Sequence, residues 1–138
     1  MSERIALNPT VRNERRPAMT ERKLPHDHHT GAESYLDHMP RLDEFAVTAD
    51  VFKLLGDPTR IRLFWLLCHV EECVVDLSAM MEMTSPALSH HLKLLKACGL
   101  VTSRRDGKEV YYRAAPNEQA DALHHMIERI AEISCPEG

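Results

Sequence analysis

Aromatic residues are scarce: Phe, Trp and Tyr make up 5% of the 138 residues, with a single tryptophan. A core short of rings has to be assembled from Leu, Ile, Val, Met and Ala, a set that suits packed helices. No apolar run approaches the roughly 20 residues that a membrane span needs. The longest, IRLFWLLCHV, is broken by Arg62 and His69. The amino end shows no apolar stretch of the kind that heads a secretory signal, so a cytoplasmic protein is expected. Cys68, Cys73, Cys98 and Cys135 form no C-x-x-C pair, which predicts reduced thiols and not a disulfide frame.

An overall charge of −4 gives no general attraction for a polyanion, but the charge is unevenly spread. Between Ser85 and Arg113, Lys93, Lys96, Arg104, Arg105, Lys108 and Arg113 outweigh Asp106 and Glu109. From Asn117 onward Glu118, Asp121, Glu128, Glu132 and Glu137 face only Arg129. A basic centre and an acidic tail predict one nucleic-acid face and a separate second site.

Residues 1–40 carry Pro9, Pro17, Pro25 and Pro40 with little apolar periodicity, which predicts a flexible arm. Within it His26, His28 and His29 cluster. Residues 41–138 read as one folded domain. Leu42, Phe45, Ala46, Ala49, Phe52 and Leu54 recur at helical spacing and predict an amphipathic helix ending near Gly56. Asp57-Pro58 restarts the chain as an N-cap followed by a first-turn proline, and TRIRLFWLL, apolar nearly all round, reads as a central helix. A third helix is expected from about Val75 to Met81, and Thr84 or Ser85 caps a fourth.

The fourth helix has two faces. Leu88, Leu92 and Leu95 form an apolar stripe, while Ser85, Ser89, Lys93 and Lys96 share another side. Gly99 suits a left-handed helix end, with Leu100 folding back on it. LVTSRRDGKEVYYRA then predicts a hairpin turning on Asp106-Gly107. A last helix is expected from about Asn117 to Ser134. These elements describe a mainly α fold with a small β-hairpin wing, a winged helix-turn-helix. A major groove admits one helix whose short polar side chains reach base edges, while cations on either flank meet phosphates. Ser85, Ser89 and His90 are therefore the expected readers of duplex DNA, and Lys93, Arg104, Arg105 and Lys108 the expected phosphate contacts. His91 falls on a different face of the helix and reads as a packing or hydrogen-bonding residue.

LLGDPTRIRLFWLL, ECVVDLSAMMEMTSPALSHHLKLLKACGLV and RRDGKEVYY together resemble the ArsR/SmtB family of winged-helix repressors, over residues of about 42 to 134. The resemblance implies a homodimer, paired through its terminal helices, that occupies an operator and is released by an inducer, most often a metal ion such as Zn²⁺. Many relatives carry Gln where this chain has Ser85, which implies a different base preference here.

Three places can hold the inducer. In the last helix Leu123, Met126, Ile127, Ile130 and Ile133 make an apolar stripe expected to pair with a second subunit. Asp121, His124, His125, Glu128, Glu132 and Cys135 share the other side, and imidazole and carboxylate at these spacings suit Zn²⁺ or another divalent transition metal. The family's helix site pairs Asp-x-His with a later His-x-x-Glu; His125 to Glu128 matches the second half, and Pro116-Asn117-Glu118 stands where the first half belongs. Cys73 lacks the partner cysteine of soft-metal relatives, Val75 standing there, and reads as a small buried residue; Cys68 and Cys98 read as core or near-core residues. The arm histidines His26, His28 and His29 are the third place. Redox sensing, a small organic inducer and a non-regulatory metal-binding role remain as alternatives. No nucleophile–base pair or open catalytic metal triad points to an enzyme.

Overall fold

The computed structural model describes residues 23–26, 28 and 31–132. The chain separates into two compact units, divided at Val51. In the first, a 3-10 helix spans Ala32–His38 and α1 (Leu42–Leu54) begins. Glu44 Oε1 accepts the Arg41 backbone N–H at 2.7 Å, closing the open amino end of α1, and Arg41 pairs with Asp43 at 3.1 Å.

The second unit contains the last turn of α1, then α2 (Pro58–Leu67), β1 (Glu72–Cys73), α3 (Val74–Met81), α4 (Ser85–Ala97), β2 (Val101–Asp106), β3 (Glu109–Ala114) and α5 (Glu118–Ala131). Each boundary has a local cause. Asp57 accepts the Arg60 N–H at 3.0 Å and Pro58 opens α2. Thr84 caps α4 through Ala87 N–H at 3.3 Å. At the far end Gly99 takes φ 76°, its N–H reaching Lys96 O and that of Leu100 reaching Leu95 O, each at 3.0 Å. That pair of bonds satisfies two terminal carbonyls, and fully buried Leu100 folds back as expected. Asn117 Oδ1 accepts from Ala120 N–H at 2.8 Å to cap α5, while its Nδ2 donates to Gly99 O at 3.1 Å.

Leu63, Phe64, Leu67, Leu77, Leu88, Leu92, Leu95 and Leu100 are sealed from solvent, and Val51, Leu54 and Leu55 pack with them. One Phe among these aliphatics makes the core that the aromatic-poor composition requires.

Four features refine the sequence reading, and the expected hairpin is present as β2 and β3. The wing is a three-stranded antiparallel sheet of order β1-β3-β2, because Glu72 and Cys73 pair with Tyr112 and Tyr111; a two-residue strand has no periodicity to read. α3 starts one residue early, at Val74, with Cys73 as its N-cap. α5 stops at Ala131, where Glu132 turns left-handed at φ 56°; Ile133 and Cys135 lie outside the described residues. Finally, the apolar stripes of the terminal helices are only partly buried, Leu54 and Leu123 joining the core. Leu42, Phe45 and Phe52 on α1 are exposed, and on α5 Leu123 is buried whereas Met126 and Ile130 are 45% and 75% exposed.

Candidate functional site

α4 presents Ser89, His90, Lys93 and Lys96 to solvent. Leu88, Leu92 and Leu95, on the opposite side, are fully buried, so the amphipathic pattern fixes which face is offered. A shallow depression lined by Pro86, Ser89, His90, Lys93, Lys96 and Tyr112 runs between α4 and the wing. Lys96 Nζ donates to Ser103 Oγ at 2.7 Å and ties helix to wing. The Ser85 hydroxyl lies 3.1 Å from that of buried Ser78, so it stitches α4 to α3 at the turn. Arg105 and Lys108 are exposed at the hairpin tip.

Arg104 is engaged within the protein. Its guanidinium makes two bonds of 3.0 Å to the Glu71 carboxylate and stacks over Tyr111 at 4.7 Å. These contacts hold the Glu71 carboxyl below the ordinary carboxylate range and raise Arg104 further, so both stay charged at neutral pH. A phosphate would compete with Glu71 for this group.

The two histidines of α4 separate. His90 is exposed; His91 Nδ1 accepts from Arg60 Nε–H at 3.1 Å, while Arg60 Nη1 donates to Leu54 O at 2.7 Å. Burial first, and then the Arg60 charge, lower the His91 pKa, so the ring is a neutral acceptor joining α2 to α4.

The histidines of α5 separate as well. His125 Nδ1 lies 2.9 Å from the Asp121 carbonyl and 3.7 Å from its carboxylate, and both side chains are well exposed. His124 turns inward: its Nε2 is 3.0 Å from Glu128 Oε2. The same oxygen accepts the Trp65 indole N–H at 3.0 Å and lies 3.6 Å from His69 Nε2. The ring of His69 packs 4.6 Å from that of Trp65 and edge-on to that of His124 at 4.9 Å. His69, His124 and Glu128 thus offer two imidazoles and a carboxylate whose donor atoms all lie within 4.8 Å of one another. Beside them a depression is lined by Cys68, Asp121 and His124.

Of the four α5 residues expected to bind metal, His124 and Glu128 come together, and Asp121 and His125 sit on the outer side. His26 and His28, also described, are exposed with ring centroids 5.8 Å apart; His29 and Cys135 lie outside the described residues. His69 was not anticipated. The signal was its place four residues after the only tryptophan, just beyond the end of α2. Cys73 is buried on β1 and carries no disulfide among the described residues.

A helix-turn-helix whose second helix shows a polar, cationic face beside a basic hairpin defines a DNA-binding regulator of the winged-helix class. The model of the "Bacterial regulatory protein, arsR family" matches residues 57–103. A transcriptional repressor SmtB homolog of Synechocystis sp. is 37% identical over 91 residues, 66% of this chain and 69% of that one. The arsenical resistance operon repressor of Escherichia coli is 39% identical over 74 residues, 53% of this chain and 63% of that one. Among solved structures, a homodimeric winged helix-turn-helix DNA-binding domain from Mycobacterium bovis is 32% identical with a TM-score of 0.56, covering 62% of this chain and 78% of that one. The chain belongs to the arsR family of bacterial regulatory proteins, whose members are transcriptional regulators and not enzymes. Among the described residues no helix is long and apolar enough to cross a membrane.

Proposed function

We propose that the protein is a cytoplasmic, dimeric repressor that occupies an operator through α4 and the wing and is released by a divalent metal ion such as Zn²⁺. The observation that carries the DNA half is the exposed Ser89, His90 and Lys93 on a helix whose opposite face is sealed in the core. A helix so anchored can enter a major groove without unfolding, with Arg105 and Lys108 at the phosphates. Ser85 positions the turn through Ser78, and Arg104 joins the phosphate contacts only by exchanging Glu71 for DNA. Exposed Phe52, Met126 and Ile130 are the apolar surface that a second copy would cover. Residues 1–40 act as an appended arm.

The metal half is supported by relatives that are regulators of arsenical and cadmium resistance, together with the inward His124–Glu128 pair. Release follows if the ion prefers a dimer geometry in which the two reading helices no longer match successive grooves. Such coupling is typically about 1–3 kcal/mol, roughly five- to 150-fold in affinity. The test selects duplexes from a random pool and measures their affinity against salt concentration, with and without Zn²⁺, Ni²⁺, Co²⁺ or Cd²⁺. Log affinity is expected to fall linearly with log salt, and one metal to weaken binding further. No duplex binding at low salt would remove the DNA reading; indifference to every metal would remove the inducer.

A further inference from the structure

We propose that the metal is held inside each subunit by His69, His124 and Glu128, across the joint between the end of α2 and the middle of α5, and not by α5 alone. The proposal rests on the metal-responsive reading above and names its site.

The first observation is His69. Its side chain is 9% exposed and its Nε2, buried, has no hydrogen-bond partner among the described residues. Leaving a buried polar nitrogen unsatisfied is costly, and an imidazole kept so beside a carboxylate has a use for its lone pair. That nitrogen is aimed at Glu128 Oε2, 3.6 Å away. The second observation is the donor set. Two imidazoles and one carboxylate are a common protein ligand trio for Zn²⁺ and related ions. The side chains of His124 and Glu128 are only 14% and 12% exposed, so they are already ordered by packing.

The third observation is the support. Trp65 N–H fixes the Glu128 carboxylate from the α2 side, the role an outer hydrogen-bond donor plays for a ligating carboxylate. Asp121 and His125 complete the contrast: they bond to each other's turn of helix on the solvent side, where their removal leaves the inner trio intact.

His69 is followed at once by the segment that holds the wing. Glu71, which grips Arg104, stands two residues on, and β1 begins at Glu72. An ion drawing His69 toward α5 would therefore act beside the wing's anchor.

The sole tryptophan touches the trio, so its fluorescence reports on the site. The full-length protein is titrated with Zn²⁺ against a competing chelator, following tryptophan emission and thermal unfolding. Wild type is expected to change its emission and melt higher with Zn²⁺. His69→Gln and His124→Gln are each expected to lose about 10- to 100-fold or more in Zn²⁺ affinity, while Asp121→Asn and His125→Gln keep it. Should His69→Gln fail to fold, His124→Gln and Glu128→Gln carry the same comparison. The proposal is overturned if wild type shows no zinc-linked change, or if His125→Gln or Asp121→Asn loses affinity while His69→Gln does not. Affinity of the metal-free protein for DNA, measured on the same preparations, separates the two levels. Its absence removes the repressor reading and leaves the zinc titration to judge the site.

Discussion

The two adjacent histidine pairs, His90-His91 on α4 and His124-His125 on α5, are built alike and used differently. Neighbours on a helix point about 100° apart, so each pair must serve two faces. In both pairs one ring goes out to solvent and one goes in. What differs is the partner of the inward ring. His91 meets a guanidinium, which makes it a neutral acceptor, whereas His124 meets a carboxylate and a second imidazole. The first environment spends the imidazole lone pair on a structural bond; the second keeps donor groups of the kind a cation requires. A doublet of histidines is therefore not itself a site, and its chemistry is set by the residue that faces the inner member.

The comparison can be broken most severely at Arg60. Arg60→Ala strips His91 of its donor and leaves the Leu54 carbonyl without its guanidinium, at a cost of about 1–3 kcal/mol. Urea unfolding should show a lower midpoint with an unchanged slope. On the outer face of the same helix, His90→Ala and Lys93→Ala are expected to leave the unfolding midpoint alone and weaken DNA binding. For Lys93 the slope of log affinity against log salt should shrink by about 0.9 if it meets one phosphate; an unchanged slope would place it off the backbone.

A smaller effect is expected from pH. His91 has its pKa lowered from 6.5 in the fold, so the folded state binds fewer protons than the unfolded one. Its contribution to stability is fully present above the unfolded value and is lost as pH falls from 6.5 through the folded value. Unfolding free energy measured across that range should decline less steeply in His91→Gln than in wild type. The smallest effect belongs to His125→Gln, expected to alter stability by no more than about 0.5 kcal/mol, since its ring is exposed.

The parts of the fold that were legible in the sequence are those whose cause is local. Asp57-Pro58, Thr84, Gly99 and Asn117 mark helix ends because a cap or a left-handed residue needs only its own neighbours. Asp106-Gly107 turns the hairpin for the same reason, Gly107 taking φ 65°. β1 escaped because its pairing with Tyr111 and Tyr112 joins residues some forty positions apart. The left-handed Glu132 escaped because a non-glycine residue carries no sign of that conformation. The stripe on α1 was visible as apolar, yet periodicity cannot tell a face turned to the core from one left on the surface, as Leu42 and Phe52 show.

The candidate site divides the same way. The polar face of α4 is a property of one helix and could be read from spacing. The grouping of His69 with His124 is a property of two helices meeting, and only packing of α2 against α5 turns His124 inward and His125 out.

Asn117 has a mechanical consequence. One end of its amide holds the first turn of α5 and the other holds the last carbonyl of the segment that closes α4. One side chain thus couples the two helix ends, beside the Ala115 N–H to Leu100 carbonyl bond of 2.8 Å at the same corner: the start of α5 cannot shift against Gly99 unless one of the two amide bonds opens.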